Sequence, residues 1–466
     1  MRTINKIGIG MLVGVFFATG YFTRMHCIDR DRALAAQRDN QSSLQGTRIA
    51  STGLTAVADV DIRPVETLYS VVKSLREHYV EQLTVEEEGK MTYDALRAML
   101  GSLNDPDTRF LEPAQRKLIG DAAYGKFHGI GAVLAIKQTT RPVKPGSKEP
   151  PVTDEHLMVV SVLPGSPAAK AGLKTGDEII AVDSKPVLPF NPYQRVEDLM
   201  NDKKLQTMDL GEKKKLFEAE QKRLDDGVEI VDVENQLASD LKKAVEITVA
   251  AKAPAKENKV KIEPGEIDLD PVNALRMESG DYGYIKINYL GVTTGEKFAD
   301  EMKDLETKNA KGLVLDLRGA TGGDMKSAEE IAKWFAPGKP LAALLKSRGR
   351  RSVVGIPIFA SADVWRKPVV VLVDGSTARA PEVLASGLKE NGVAQLVGKK
   401  TYGDFKDTTV LDLADGSAVM MTTGKYVTIK GVDFSGKGLP VDIQAASDSE
   451  QIREAVKLLS AAGSRS

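Results

Sequence analysis

Helical and strand patterns follow one another along the chain after residue 62. Apolar residues recur at helical spacing from Val65 to Tyr79 and again from Tyr93 to Leu103, which predicts two amphipathic helices. Shorter alternating or wholly apolar segments bounded by glycine and proline come next and predict strands. Residues 266–466 alternate such strands with helices. We therefore expect a multidomain α+β fold with a helical N-terminal part, a β-domain and an α/β core.

The most continuous apolar run of the C-terminal part is residues 368–373, which predicts a strand covered on both faces. Asp374, Gly375 and Ser376 form a turn, and a helical pattern continues to Leu388. A strand, turn and helix of this kind place backbone N–H groups beside the turn, as in several hydrolases that expose a nucleophile there.

Length and charge restrict the class of protein. A chain of 466 residues is too long for one core, which predicts about three domains. Its formal net charge of −1 excludes the basic surface that nucleic-acid binding requires. The single cysteine, Cys27, excludes an intrachain disulfide and a cysteine-based metal site. We predict neither a metal nor a cofactor.

Two interpretations of the N-terminal segment stay open. Residues 7–22 are apolar or small and follow Arg2 and Lys6, as expected of a short membrane anchor or of a signal peptide cleaved near residues 18–20. Both interpretations place the body outside the cytoplasm, on the periplasmic or cell-surface side. The polar residues 38–62 then form a linker.

Histidine usage restricts the catalytic chemistry. All four histidines precede residue 157, so the C-terminal half contains neither histidine nor cysteine. A Ser-His-Asp triad or a Cys–His pair cannot be assembled there, and only Ser–Lys chemistry remains.

The segment after residue 372 resembles the carboxyl-terminal processing (tail-specific) serine peptidases, whose sequence here reads roughly Val-Asp-x-x-(Ser/Thr)-Ala-Ser-Ala-Ser-Glu-Ile. The positions that match are Thr377, Ala378, Ala380, Glu382 and Val383. The resemblance implies a crotonase-like α/β peptidase core.

The same resemblance places the family's nucleophilic serine on Arg379. Its general-base lysine falls 25 residues later on Asp404, in the segment Gly398-Lys-Lys-Thr-Tyr-Gly-Asp404. Arginine stays protonated and has no lone pair with which to attack a carbonyl. We predict that the site is proteolytically inactive and that Arg379 and Asp404 form an ion pair within it.

The family's oxyanion-hole segment, Asn-x-Pro-Gly-Gly, corresponds here to Gly319-Ala-Thr-Gly-Gly323. The resemblance implies that the backbone N–H groups of Gly322, Gly323 and Ala380 are the oxyanion-hole candidates. The alternative is an active Ser/Lys endopeptidase that uses displaced residues. Its candidate nucleophiles and bases are Ser376, Thr377, Lys400 and Lys406.

Residues 127–136 resemble the opening of a PDZ domain, in which a glycine turn presents amides to a peptide carboxylate and the next strand pairs with the peptide. Residues 159–182 match the PDZ domains of bacterial proteases along their length. The resemblance implies peptide or protein C-termini as partners. The implied binding residues are Gly129, Ile130, Gly131, Ala132 and Val133.

Residues 103–113 resemble the family's Leu-Asp-Pro-(His/Tyr)-(Thr/Ser)-x-(Phe/Tyr)-Leu-x-Pro segment, which joins its N-terminal helical domain to the next domain. The predicted organisation has six parts. These are a signal peptide or anchor at 1–37, a linker at 38–62, a helical domain at 63–120, a PDZ domain at 121–250 with insertions at 138–156 and 201–243, a linker at 251–265, and a tail-specific-peptidase-like domain at 266–466.

The charge-alternating sequence within residues 201–243 predicts a solvated helix or, as an alternative, an arm that docks a partner. The arm supports a third functional class, a non-catalytic scaffold of an envelope complex. The membrane is a partner through the N-terminal segment, and the sequence leaves homo-oligomer formation open.

Overall fold

The computed structural model describes residues 63–103, 105–141, 152–237, 243–250, 257–277, 281–346, 350–355 and 364–463. The predicted anchor or signal peptide and the linker at 38–62 lie outside these ranges. Within them, no helix combines the length and the apolar character that crossing a membrane requires. The chain divides into two compact units, residues 1–83 and 84–466, and each is described by itself.

The first unit contains α1 (Arg63–His78), in agreement with the helical spacing of its apolar residues. The second unit begins with α2 (Val85–Gly101). This helix starts earlier than predicted, because Thr84 and Glu87 form a capping box in which each side chain accepts the other's backbone N–H. The elements β1 (Arg109–Leu111), α3 (Pro113–Ala122) and β2 (Lys126–Phe127) follow.

A seven-stranded sheet forms the PDZ part, with strand order β3-β4-β5-β6-β7, β8 beside β5, and β9 beside β8. The strand β3 lies at its edge, and β4 is its only strand partner among the described residues. The strands are β3 (Ala132–Thr140), β4 (Thr153–Val162), β5 (Glu178–Val182), β6 (Lys185–Leu188), β7 (Val228–Glu229), β8 (Val245–Ala250) and β9 (Asn258–Ile262). The helices are α4 (Pro167–Ala171), α5 (Gln194–Asn201), α6 (Lys203–Thr207), α7 (Leu210–Asp226) and α8 (Ile230–Leu237).

Two predicted boundaries of the PDZ part are wrong. The insertion was predicted to run from 201 to 243, but Ile230, Val233 and Leu237 of α8 are buried in the PDZ core. The strongly charged sequence before α8 masked its apolar spacing. The linker was predicted at 251–265, but β9 lies within it and pairs with β8, because its alternate residues Val260 and Ile262 are apolar and buried.

The α/β core contains a six-stranded sheet with strand order β11-β12-β13-β16-β17-β20, in which only β11 and β12 pair antiparallel. Its strands are β11 (Val272–Arg276), β12 (Gly283–Ile287), β13 (Leu313–Asp316), β16 (Val369–Val373), β17 (Ala394–Gly398) and β20 (Ile443–Gln444). Its helices are α9 (Thr294–Thr307), α10 (Met325–Ala332), α11 (Ala380–Glu390) and α12 (Asp448–Gly463).

Helices cover both faces of this sheet, as the apolar run of β16 predicts. Val369, Val371 and Val373 pack in the same cluster as residues of α9, α10 and α11. Val370 and Leu372 point to the other face and pack with residues of α12. All five residues of β16 are buried.

Two further sheets join residues 109–127, which contain β1 and β2, to the C-terminal part of the chain. In one, the strand order is β1-β19-β14-β15 with β18 beside β19, and β1 pairs antiparallel with β19 from Arg109 opposite Met420 to Leu111 opposite Ala418. In the other, β2 pairs with β10 (Ile267–Asp268). The remaining strands are β14 (Pro340–Lys346), β15 (Arg351–Gly355), β18 (Lys406–Asp412) and β19 (Ala418–Val427). The pairing of β1 brings the residues just before it to the carboxyl end of β16.

Candidate functional site

The turn between β16 and α11 has the backbone shape of a nucleophile elbow. Arg379 precedes the first residue of α11 and has φ 60° and ψ −127°, values that are uncommon for a residue with a side chain. Asp374 stabilises the turn, because its Oδ1 accepts the N–H groups of Ser376 at 2.9 Å and Thr377 at 3.1 Å. The elbow therefore holds an arginine.

The predicted ion pair between Arg379 and Asp404 is present. Arg379 Nε donates to Asp404 Oδ2 at 2.8 Å, and the backbone N–H of Arg379 donates to the carbonyl of Asp404 at 2.9 Å. The Nη2 group also donates to Asp107 Oδ1. Burial alone would lower the pKa of the guanidinium, but the two carboxylates outweigh it and raise the pKa. The residue in the elbow stays cationic.

Lys406 and Asp105 extend this arrangement into a charged cluster of five side chains. Lys406 Nζ lies 3.2 Å from Asp105 Oδ1 and also contacts Asp107 Oδ2. Burial opposes the charge of Lys406, but Asp107 and Asp105 raise its pKa above the ordinary value. Burial likewise opposes the charge of Asp107, but Arg379 and Lys406 lower its pKa. Below, "charged cluster" means Asp105, Asp107, Arg379, Asp404 and Lys406.

Glu382 on α11 fixes the loop that carries Asp404. Its side chain is fully buried, and its two carboxylate oxygens accept the N–H groups of Gly403 at 2.7 Å and Asp404 at 2.9 Å. Its Oε2 also lies 3.2 Å from the backbone nitrogen of Arg379. Burial raises the pKa of Glu382 to about 7. The carboxyl therefore joins both halves of the ion pair through backbone groups.

The three oxyanion-hole candidates lie on two segments that pair with each other. Thr321 forms a parallel bridge with Ala378, and the N–H of Gly322 donates to the carbonyl of Ala378 at 3.3 Å. That donor is therefore occupied. The N–H groups of Gly323 and Ala380 have no hydrogen-bond acceptor among the described residues. These two amides keep the freedom to bind an acceptor.

The displaced candidates lie in different surroundings. Ser376 is 2% exposed, and Thr377 is fully buried with its hydroxyl donating to the carbonyl of Leu317 at 2.9 Å. Lys400 is exposed on the loop after β17, whereas Lys406 belongs to the charged cluster. A general-base lysine needs a lowered pKa, and that of Lys406 is raised.

The predicted peptide-binding residues lie at and just before the edge strand β3. Ile130 is buried, and its N–H donates to the carbonyl of Leu237 at the end of α8. The N–H groups of Gly129 and Gly131 have no acceptor within the described part of the chain. Ala132 and Val133 begin β3. Two buried amides of the glycine turn therefore lack an acceptor within the described residues, and one strand edge is unpaired there.

Sequence reasoning missed Asp107, although a signal for it was present. In the family segment that residues 103–113 resemble, His or Tyr stands where this chain has Asp107. This departure introduces a carboxylate that contacts the guanidinium of Arg379. Asp105 follows the family pattern and gave no such signal.

Two parts of the chain match known protein families. Residues 281–445 match the model of peptidase family S41, and residues 158–204 match a PDZ domain. The chain is 29% identical to the carboxy-terminal processing protease CtpA of Bacillus subtilis, over 87% of this chain and 72% of that protein. It is 27% identical to the chloroplastic C-terminal processing peptidase of Tetradesmus obliquus, over 79% of this chain and 71% of that protein.

A solved structure, that of a photosystem II D1 C-terminal processing protease, shares the fold. Its TM-score is 0.57 at 24% identity, and the match covers 84% of this chain and 90% of that one. The chain therefore resembles the carboxyl-terminal processing peptidases in combining a PDZ domain with a peptidase family S41 core.

Proposed function

We propose that this protein has lost proteolysis and binds the C-terminal segments of peptides or proteins through its PDZ domain. The observation that carries the first part is the arginine in the elbow. Its guanidinium bonds to Asp404 and Asp107 and occupies the position of a nucleophile. Serine peptidase chemistry of the Ser–Lys type needs a hydroxyl there and a neutral amine beside it.

Neither requirement is met by the charged cluster. A guanidinium has no lone pair to donate to a carbonyl carbon. The amine nearest to it in the cluster, Lys406, has a raised pKa and is protonated at neutral pH, so it cannot accept a proton from a hydroxyl. Arg379 and Lys406 both stay cationic, and the three carboxylates around them support that state.

The second part of the proposal rests on the edge strand β3 and the glycine turn before it. An unpaired strand edge offers alternating N–H and C=O groups to an extended peptide. The N–H groups of Gly129 and Gly131 lie at the start of that edge, have no acceptor among the described residues, and would donate to a carboxylate. A peptide that ends beside the turn would pair with β3 and place its terminal carboxylate on these donors.

The location of the protein is part of the proposal. The apolar residues 7–22 after Arg2 and Lys6 support a body outside the cytoplasm, either tethered by this segment or released by its cleavage. A protein in that position would meet the exposed C-termini of envelope proteins.

The experiment that tests the proposal measures turnover and binding with the same purified protein. The substrate is a quenched-fluorescence peptide with a free apolar C-terminus, and the ligand is its uncleavable analogue. We expect no turnover, measurable binding, and loss of binding when the C-terminus is amidated.

The rival, a peptidase that uses displaced residues, makes the opposite forecast. Turnover by the wild-type protein that disappears in Ser376→Ala or Lys406→Met would establish it and overturn the proposal. A variant with Lys399→Met, an exposed lysine outside the charged cluster, is the matched control for the lysine substitution.

A further inference from the structure

A cavity of about 240 Å³ lies between residues 109–127 and the PDZ part. One wall is formed by α3 and β1, and the opposite wall by the start of β3, including Gly131, Ala132 and Val133. The lining is mainly apolar, with Leu118, Ile119 and Leu163 among its residues. The free edge that a peptide would use therefore opens onto an apolar space.

One cationic side chain, Arg109 of β1, lines this cavity. Its Nη1 donates to Glu234 Oε2 of α8 at 2.7 Å. Its Nε is buried and has no hydrogen-bond partner among the residues that the structure describes. A buried donor without an acceptor is unfavourable, so a ligand that supplies an acceptor at this point would gain free energy.

We propose that Arg109, a residue outside the PDZ domain, binds the terminal carboxylate of the peptide, and that the peptide's last apolar side chain fills the cavity. The inference rests on the proposed peptide-binding function and assigns its specificity. The peptide carboxylate bonds to the guanidinium of Arg109 and to the amide of Gly131. A guanidinium is the planar donor that suits a carboxylate.

Glu234 has a definite part in this site. In the free protein it neutralises Arg109, and a peptide carboxylate competes with it for the same guanidinium. Removing the charge of Glu234 therefore strengthens the binding of a free carboxylate. If the Arg109–Glu234 pair had only a structural role, removing the charge of Glu234 would not increase the affinity for a free carboxylate.

The test uses two fluorescein-labelled peptides of one sequence ending in leucine, one with a free carboxylate and one amidated. Wild-type protein binds the free acid at least about tenfold more tightly than the amide. In Arg109→Gln the preference falls to near one, whereas in Glu234→Gln the acid binds more tightly and the amide is unaffected. The control is Arg116→Gln, an arginine of α3 that pairs with Asp412 on the surface.

Arg109→Gln leaves the partly buried Glu234 without its partner, so the double variant Arg109→Gln, Glu234→Gln accompanies it. Two neutral amides can bond to each other there, and thermal unfolding checks that the variant is folded. We expect this double variant also to bind the free acid and the amide with similar affinity. If the wild type shows no preference, the proposed peptide-binding function fails. If it prefers the acid and both Arg109 variants keep that preference, only the inference about Arg109 is overturned.

Discussion

Asp107 and Arg109 lie two residues apart, and their side chains bond to different domains. Asp107 contacts Arg379 and Lys406 of the peptidase core. Arg109 donates to Glu234 of the PDZ helix α8 at 2.7 Å. Because β1 is paired with β19, this short segment is fixed between the elbow and the PDZ part. Substitutions in this segment are therefore expected to affect both the elbow and the PDZ part.

Restoring the family's dyad requires a third substitution. In Arg379→Ser, Asp404→Lys, the new lysine lies beside Asp107, whose charge keeps the amine protonated. Adding Asp107→Tyr removes that charge and introduces a residue type found in the family. We expect the triple variant to cleave the quenched-fluorescence peptide about a hundredfold faster than the double variant, the contribution typical of a working general base.

The control for this experiment is Arg379→Ala, Asp404→Lys, Asp107→Tyr, which has the base but no nucleophile and should show no turnover. Equal rates for the double and triple variants would contradict the role given to Asp107.

The charged cluster should contribute to stability. Asp107→Asn removes a carboxylate shared by Arg379 and Lys406, and we expect the free energy of unfolding in urea to fall by about 2 kcal/mol. The matched control is Asp281→Asn, which removes an exposed carboxylate that also has two cationic partners, Arg276 and Lys311. Its effect should be much smaller than that of Asp107→Asn, because exposed pairs are screened by water. Equal effects of the two substitutions would refute the stabilising role.

The raised pKa of Glu382 predicts that the stability of the protein depends on pH. Its pKa is about 7 in the folded protein against an ordinary 4.5, so between these values the folded state holds a proton that the unfolded chain has lost. The free energy of unfolding therefore falls as the pH rises through this window, by about 3 kcal/mol for the whole shift.

The measurement for Glu382 is urea unfolding at several pH values between about 5 and 8. Glu382→Gln has no such titration, so the difference in stability between wild type and variant should change across the window. The variant is less stable than the wild type at low pH, since its amide NH₂ faces a backbone donor. A difference that is constant with pH would show that Glu382 titrates normally.

Gly322 and Gly323 should respond differently to alanine. Both have positive φ, 72° and 91°, which a side chain disfavours. A Cβ at Gly322 meets open space, whereas a Cβ at Gly323 would overlap the carbonyl oxygen of Leu290. We expect Gly322→Ala to lower the free energy of unfolding by about 1 kcal/mol and Gly323→Ala by about 3 kcal/mol. Comparable losses in urea denaturation would argue against this placement of the turn.

Local patterns predicted the core of the fold and the ion pair. The apolar run of β16 predicted a strand that is buried on both faces. The sequence matches around Arg379 and Asp404 predicted that these two residues contact each other at the turn before α11. These inferences succeeded because the neighbours of each residue in sequence resemble a known segment, so the backbone path could be transferred. The side-chain pairing then followed from opposite charge.

Contacts between distant segments could not be predicted in this way. Asp107 and Arg379 are 272 positions apart, and their contact depends on the pairing of β1 with β19. Neither strand carries a local signal for the other. Arg109 and Glu234 are also far apart in sequence, at 125 positions, and no local pattern predicts their contact. The apolar spacing of α8 was not recognised, because the sequence before it is strongly charged.

The backbone at position 379 makes arginine an unexpected occupant. A side chain at φ 60° and ψ −127° is disfavoured by about 1–3 kcal/mol, and glycine would avoid most of that. The contacts of the guanidinium with Asp404 and Asp107 therefore offset the backbone cost of this conformation, and the charged cluster holds the elbow in its strained shape.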